Sequence, residues 1–233
     1  MIPLRDRNPV QRAPVVTWTI VAVCVAVWAS GFVYEGGPDG LVRDLGLVPA
    51  KLFGAPSAST FATVLTSGFA HAGLLHLASN LWFLHVFGDN VEDHLGHGRY
   101  VLLYLGSMLG AAATHVAIDP SSVRVLVGAS GAIAGVLGAY MLRYPRAPIV
   151  TFAFVALLEM PAFLFLAQWV ALQIVLALLT DAGRSGGVAV GAHLGGLVSG
   201  VLLELALGRS GHGSVRDRPV LRGGTPPRSP DDR

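Results

Sequence analysis

This chain of 233 residues has little charge: 13% are Asp, Glu, Lys or Arg, where soluble domains carry about 25%. Hydrophobic residues make up 53%, and the mean hydropathy is +0.61. So little charge excludes an ordinary soluble enzyme, and so much apolar side chain excludes a disordered chain. The single cysteine, Cys24, excludes a disulfide framework and a thiolate metal cluster. No nucleotide-binding glycine loop, EF-hand or H-E-x-x-H pair occurs, so no cofactor and no metal are expected. Nor is there a basic run interleaved with aromatics; the net charge is only +2, and nucleic acid is not an expected partner. The apolar runs also lack the period-2 alternation of a membrane barrel.

What is present is a series of long apolar stretches. A membrane helix needs about 20 mostly apolar residues, and six stretches qualify: Val15 to Tyr34, Leu74 to Phe87, Tyr100 to Ile118, Ala129 to Tyr144, Pro161 to Thr180 and Val188 to Leu207. The sequence therefore predicts an all-α polytopic membrane bundle, since helices satisfy their own backbone polar groups in lipid. Residues 1–14 read as a cytoplasmic N-terminal segment, 15–207 as the six-helix domain, and 208–233 as a disordered basic cytoplasmic tail. Ile149 to Leu158, rich in Thr, Phe and Val, reads as a strand-like segment at the cytoplasmic interface.

The basic residues give the direction. With the N-terminus in the cytoplasm, twelve arginines, among them Arg5, Arg7, Arg12, Arg143 and Arg146, fall inside. Only Arg43, Lys51, Arg124 and Arg184 fall outside, the bias expected of a bacterial inner-membrane protein with both termini cytoplasmic. The loop from Glu35 to Thr66 is then the longest external connection.

Strongly polar side chains inside apolar spans are costly and mark functional candidates. The second span holds His76 and Asn80, the fourth begins Gly128-Ala129-Ser130-Gly131, and the sixth holds His193. At 1.5 Å per residue, His76 lies ~20 Å above Asp89, Ser130 ~20 Å above Arg143 and His193 ~24 Å above Arg209, so the three meet at one depth. Asn80 lies one turn below His76 on the same face. Small residues at four-residue spacing, Ser130-Ala134-Gly138, Gly131-Gly135 and Gly196-Gly200, allow close helix approach. A serine hydroxyl becomes a nucleophile when an imidazole takes its proton, which assigns Ser130 as nucleophile and His193 as base. His76, Asn80 and the backbone N–H groups at the start of the fourth helix are the expected oxyanion donors. No acid lies at this depth, so the arrangement is a dyad. His94, His97 and His115 read as interface or loop residues. A polar-lined transporter or channel is the alternative from a different class.

These motifs, His76-Leu77-Ala78-Ser79-Asn80, Gly128-Ala129-Ser130-Gly131 and Ala192-His193-Leu194-Gly195-Gly196 with Gly200, resemble those of the rhomboid family of intramembrane serine proteases. Thr66 to His71, Phe87 to Glu92 and Gly46-Leu47-Val48-Pro49 are also similar to bacterial members. The resemblance runs from Ala13 to Leu207. It implies a six-helix protease whose dyad cleaves in or near a transmembrane segment of single-span membrane proteins, with a fifth helix that gates lateral access. It also implies that the external loop lies partly in the membrane and that His71 anchors a loop. One residue departs: where several members carry a tyrosine one turn after the nucleophile, stacked on the histidine, this chain has Ala134. A non-catalytic, helix-binding member of such a family is a further alternative.

Overall fold

The computed structural model describes residues 1–153, 155–179 and 190–208. Among the described residues, six helices have fourteen or more residues: α1 (Val15–Ser30), α5 (Leu74–Leu95), α6 (His97–Ile118), α7 (Ser130–Arg143), α8 (Ala162–Leu179) and α9 (Val190–Leu207). Each falls on one of the six apolar stretches. The Glu35 to Thr66 connection is folded into three short helices, α2 (Gly37–Leu45), α3 (Pro49–Gly54) and α4 (Ala58–Thr66). The tail from Arg209 and the expected span ends at Thr180 and Val188 lie outside the described residues.

Many large apolar side chains face outward, and the small residues of α7 are buried together with large ones such as Tyr100, Tyr104 and Phe87. Leu75 is 86% exposed and Leu202 60%, whereas Gly131, Ala134, Gly135 and Gly138 of α7 are buried. Large apolar side chains facing outward around helices that touch through small residues are the pattern of a helix bundle in lipid. Among the described residues, two helices, α6 and α9, are each long and apolar enough to cross a membrane; α1 and the Ala162–Val175 part of α8 are apolar but shorter. With 14 residues, α7 is ~21 Å long and falls short of a ~30 Å hydrocarbon layer, as its sequence implied.

The tightest packing joins α6, α7 and α9. A Cβ at Gly196 would overlap the carbonyl oxygen of Gly131, and one at Gly200 that of Gly135, so α7 and α9 touch backbone to backbone. Ser107 of α6 fills the space beside Gly135. Below this contact lies an aromatic cluster: Phe87 of α5 meets Tyr140 of α7 edge-on at 5.0 Å and stacks on Phe165 of α8 at 5.8 Å between centroids.

Three boundaries differ from the sequence reading. The first helix ends at Ser30, short of Tyr34, where Gly31 packs closely on Pro38 at the start of α2. The second continues past Phe87 to Leu95, because Glu92, only 1% exposed, has a structural use: its two carboxylate oxygens accept the N–H groups of Val16 and Thr17, each at 2.8 Å. A carboxylate thus caps the N-terminus of α1, where unpaired N–H groups and the helix dipole favour it. Third, the segment around Ile149 to Leu158 is a hairpin of two strands. Strands β2 (Pro148–Ala153) and β3 (Ala156–Pro161) pair antiparallel, and β1 (Ile2–Asp6) adds to β2 with Ile2 opposite Phe152 and Asp6 opposite Ile149. The N-terminal segment is accordingly no free tail. Tyr140 donates to Asp6 at 2.6 Å and accepts from Asn8 at 3.1 Å, and Arg7 pairs with Glu159 at 2.8 Å.

Candidate active site

The chain reaches Ser130 through a pinned extended segment. Leu47 and Leu126 exchange backbone hydrogen bonds at 3.0 and 2.8 Å, Ala50 donates to the Ser122 carbonyl at 2.9 Å, and Thr66 donates to the Leu45 carbonyl at 2.8 Å. The Gly46-Leu47-Val48-Pro49 stretch therefore holds the strand that leads into α7. At its end Gly128 adopts φ +114°, where only glycine sits without strain, and its N–H donates to the Ser67 carbonyl at 2.9 Å. A Cβ there would also lie 2.7 Å from the His76 ring. The glycine before the nucleophile thus turns the chain and leaves space for the imidazole.

Ser130 is the first residue of α7 and is half-buried. Its hydroxyl lies 2.8 Å from Nε2 of His193, which reaches it from the first turn of α9. The close backbone contact of Gly131 with Gly196 brings these two side chains together. His193 is 7% exposed, so the pair sits where water competes little for the hydrogen bond.

His76 and Asn80 flank the other side of Gly128. The His76 ring lies 2.7 Å from the position a Cβ on that glycine would take, and the Asn80 amide nitrogen lies 3.6 Å from the same position. One N–H of that amide donates to the His76 carbonyl at 3.0 Å. The four side chains expected to share a depth therefore converge, with Ser130 and His193 in direct contact and His76 and Asn80 lining the turn that precedes the nucleophile. The backbone donors at this turn are partly engaged. Gly128 serves Ser67, Ala129 donates to Nε2 of His71 at 3.4 Å and Ile133 donates to the Ala129 carbonyl at 2.9 Å, leaving the N–H groups of Ser130, Gly131 and Ala132, which have no acceptor within their own helix. His71 also lies with Nδ1 3.2 Å from the Phe69 carbonyl and so ties the loop to the nucleophile's turn.

Two residues in this site were not singled out in the sequence. Gln173 of α8 places Oε1 3.1 Å from Nδ1 of His193, and Trp169, one turn earlier on the same face, lies with its ring 5.8 Å from the imidazole at 38°. Gln173 meets the criterion that selected Asn80, an uncharged polar group within an apolar span. Because α8 runs opposite to α5, α7 and α9, the cytoplasmic charges that set a common depth for those three helices set none for Gln173.

Two of the other histidines are in structural pairs, while Nε2 of His115 is buried without a hydrogen-bond partner among the described residues and His85 packs against Trp18 and Trp82. His94 meets Glu204 at 2.9 Å and His97 meets Glu92 at 2.6 Å. Among the described residues no group of three His, Cys, Asp or Glu side chains is gathered as a metal ion would need.

The chain is similar to known proteins of one family. The model of the rhomboid domain matches residues 58–210. The chain is 33% identical to rhomboid-like protein 11, chloroplastic, of Arabidopsis thaliana, across 62% of this chain and 52% of that protein. It is 32% identical to rhomboid protein 1, mitochondrial, of Saccharomyces cerevisiae, across 60% and 40%, and 31% identical to the rhomboid protease GluP of Bacillus subtilis, across 67% and 29%. The chain spans about half or less of the length of these relatives.

Proposed function

This chain belongs to the rhomboid family, and we propose that it is a serine endopeptidase that cleaves peptide bonds in or near the transmembrane segments of single-span membrane proteins. The 2.8 Å contact between Ser130 and His193 carries the reading. Ser130 Oγ attacks the scissile carbonyl while Nε2 of His193 takes the hydroxyl proton. The carbonyl π pair moves onto oxygen, and the resulting oxyanion lies toward His76, Asn80 and the α7 N–H groups, in a site where preorganised donors act strongly. Collapse of that intermediate breaks the C–N bond, and His193 returns the proton to the leaving amine. Water then repeats the sequence on the acyl ester and regenerates Ser130.

Support for the location of this chemistry comes from the chain's own features. Membership makes it a membrane protein, and the arginine bias favours a bacterial inner membrane with both termini cytoplasmic and Ser130 toward the outer face. Of the three relatives named above, one is named a protease, one is named as mitochondrial and one as chloroplastic. The exposed Phe53, Phe61 and Leu65 of α3 and α4 suit an external loop that lies partly in lipid.

The test uses purified protein in liposomes with a single-span reporter carrying small residues near the outer boundary. Wild type is expected to cleave it, and Ser130→Ala and His193→Ala to lose roughly a thousandfold or more. Equal cleavage by wild type and Ser130→Ala would overturn the proposal. Solute flux that survived Ser130→Ala and failed in His193→Ala would favour a transporter instead.

A further inference from the structure

A histidine that accepts a serine proton at Nε2 must carry its own hydrogen on Nδ1, since the neutral ring has one N–H and one lone pair. In the wrong tautomer Nε2 already holds a hydrogen and cannot act as base. Something must therefore favour Nδ1–H, and in a dry site that group needs an acceptor. No carboxylate contacts His193 in the described residues; the atom at Nδ1 is Oε1 of Gln173, at 3.1 Å, with Gln173 itself 6% exposed.

We infer that Gln173 is a positioning residue: it accepts the Nδ1–H of His193, fixes the tautomer that can take the Ser130 proton, and with Trp169 holds the ring plane. The inference rests on the proteolytic reading given above and adds a third member to the dyad, an amide in the place where a carboxylate would otherwise stand. An amide oxygen supplies the acceptor without placing a full charge in the apolar interior, where an ionised group would be costly. It also explains how the site operates with Ala134 one turn after the nucleophile. Trp169 and Gln173 lie four residues apart on one face of α8, so a single helix presents both a ring against the imidazole and an acceptor at its edge. Whatever displaces α8 removes both supports at once, which couples the position of that helix to the state of the base.

Two measurements test this. In liposomes, Gln173→Leu, which keeps the volume and removes the acceptor, is expected to lower kcat by about 10- to 100-fold with little change in KM. Gln173→Glu restores an acceptor and is expected to recover most of that loss. A carboxylate at Nδ1 would also stabilise the imidazolium, so the acid limb of its kcat/KM profile should move to higher pH. A Gln173→Leu protein with wild-type kcat, or equal losses in the Leu and Glu variants, would overturn the assignment. The second measurement needs no turnover: nitrogen NMR of ring-labelled histidine in Ser130→Ala protein. The Nδ1–H tautomer is expected for His193 with Gln173 present and its loss in the Gln173→Leu background. An Nε2–H tautomer with Gln173 present would contradict the inference. A failure of proteolysis alone would leave this tautomer reading intact, so the two proposals fail separately.

Discussion

Asn80 and His76 do different work from Ser130 and His193, and substitutions should separate them. Neither touches the nucleophile; both line the Gly128 turn beside it. Removing a donor aimed at developing charge lowers kcat and leaves ground-state binding nearly untouched. Asn80→Ala is expected to cost about 10²- to 10³-fold in kcat at constant KM, measured with the single-span reporter. A rise in KM at constant kcat would move Asn80 from the oxyanion to substrate binding. Asp6 is a different kind of residue, outside the spans. Burial pushes its carboxyl up to about 6 from 3.8, with the nearby Asp89 adding to the rise and the Tyr140 hydroxyl opposing it. Folding therefore favours the protonated form. The stability it contributes is present below about pH 4 and is lost as pH rises through about 6. Asp6→Asn should flatten the dependence of Tm on pH between about 4 and 6 and leave Tm at pH 7 equal or higher. An unchanged slope would mean that another group sets it.

At the scale of elements, two contacts decide whether the site is assembled. Glu92 closes the N–H groups of Val16 and Thr17, the second and third residues of α1, across 75 residues of chain and also holds His97. Glu92→Ala leaves buried donors unpaired and is expected to cost about 3 kcal/mol, read as a fall in Tm of several degrees. The backbone contact of α7 with α9 has no slack, because any Cβ at Gly196 meets the Gly131 carbonyl. Gly196→Val should separate the helices that carry Ser130 and His193, cost about 1–3 kcal/mol by overpacking, and reduce cleavage more than it reduces stability. Both elements show how far sequence reasoning reaches. The small-residue stripes were legible because their spacing is helical and their neighbours are apolar. Glu92 was visible only as part of a motif, since its partner is the start of a helix far away in sequence. The β1-β2-β3 sheet was half legible. Its hairpin showed as a strand-like run, but β1 is five residues of mixed character whose pairing with β2 no local pattern reveals.

For the whole molecule, the scarcity of charge becomes an advantage in reading it. In a chain with so few charged groups, the uncharged polar side chains within the spans, His76, Asn80, Ser130, Gln173 and His193, account for the polar part of the site. Four of them were legible from depth alone, because three helices running in one direction share a ruler in their cytoplasmic charges. The fifth, on a helix running the other way, emerged only when the three-dimensional packing placed α8 against His193. The most direct measurement of the central claim is mass spectrometry of the protein after reaction with a fluorophosphonate, in wild type, Ser130→Ala and His193→Ala. The account expects one phosphonyl adduct, on Ser130, in wild type, with none at that position in Ser130→Ala and almost none in His193→Ala. No adduct on Ser130 in folded wild-type protein, or an adduct that forms equally well without His193, would contradict it.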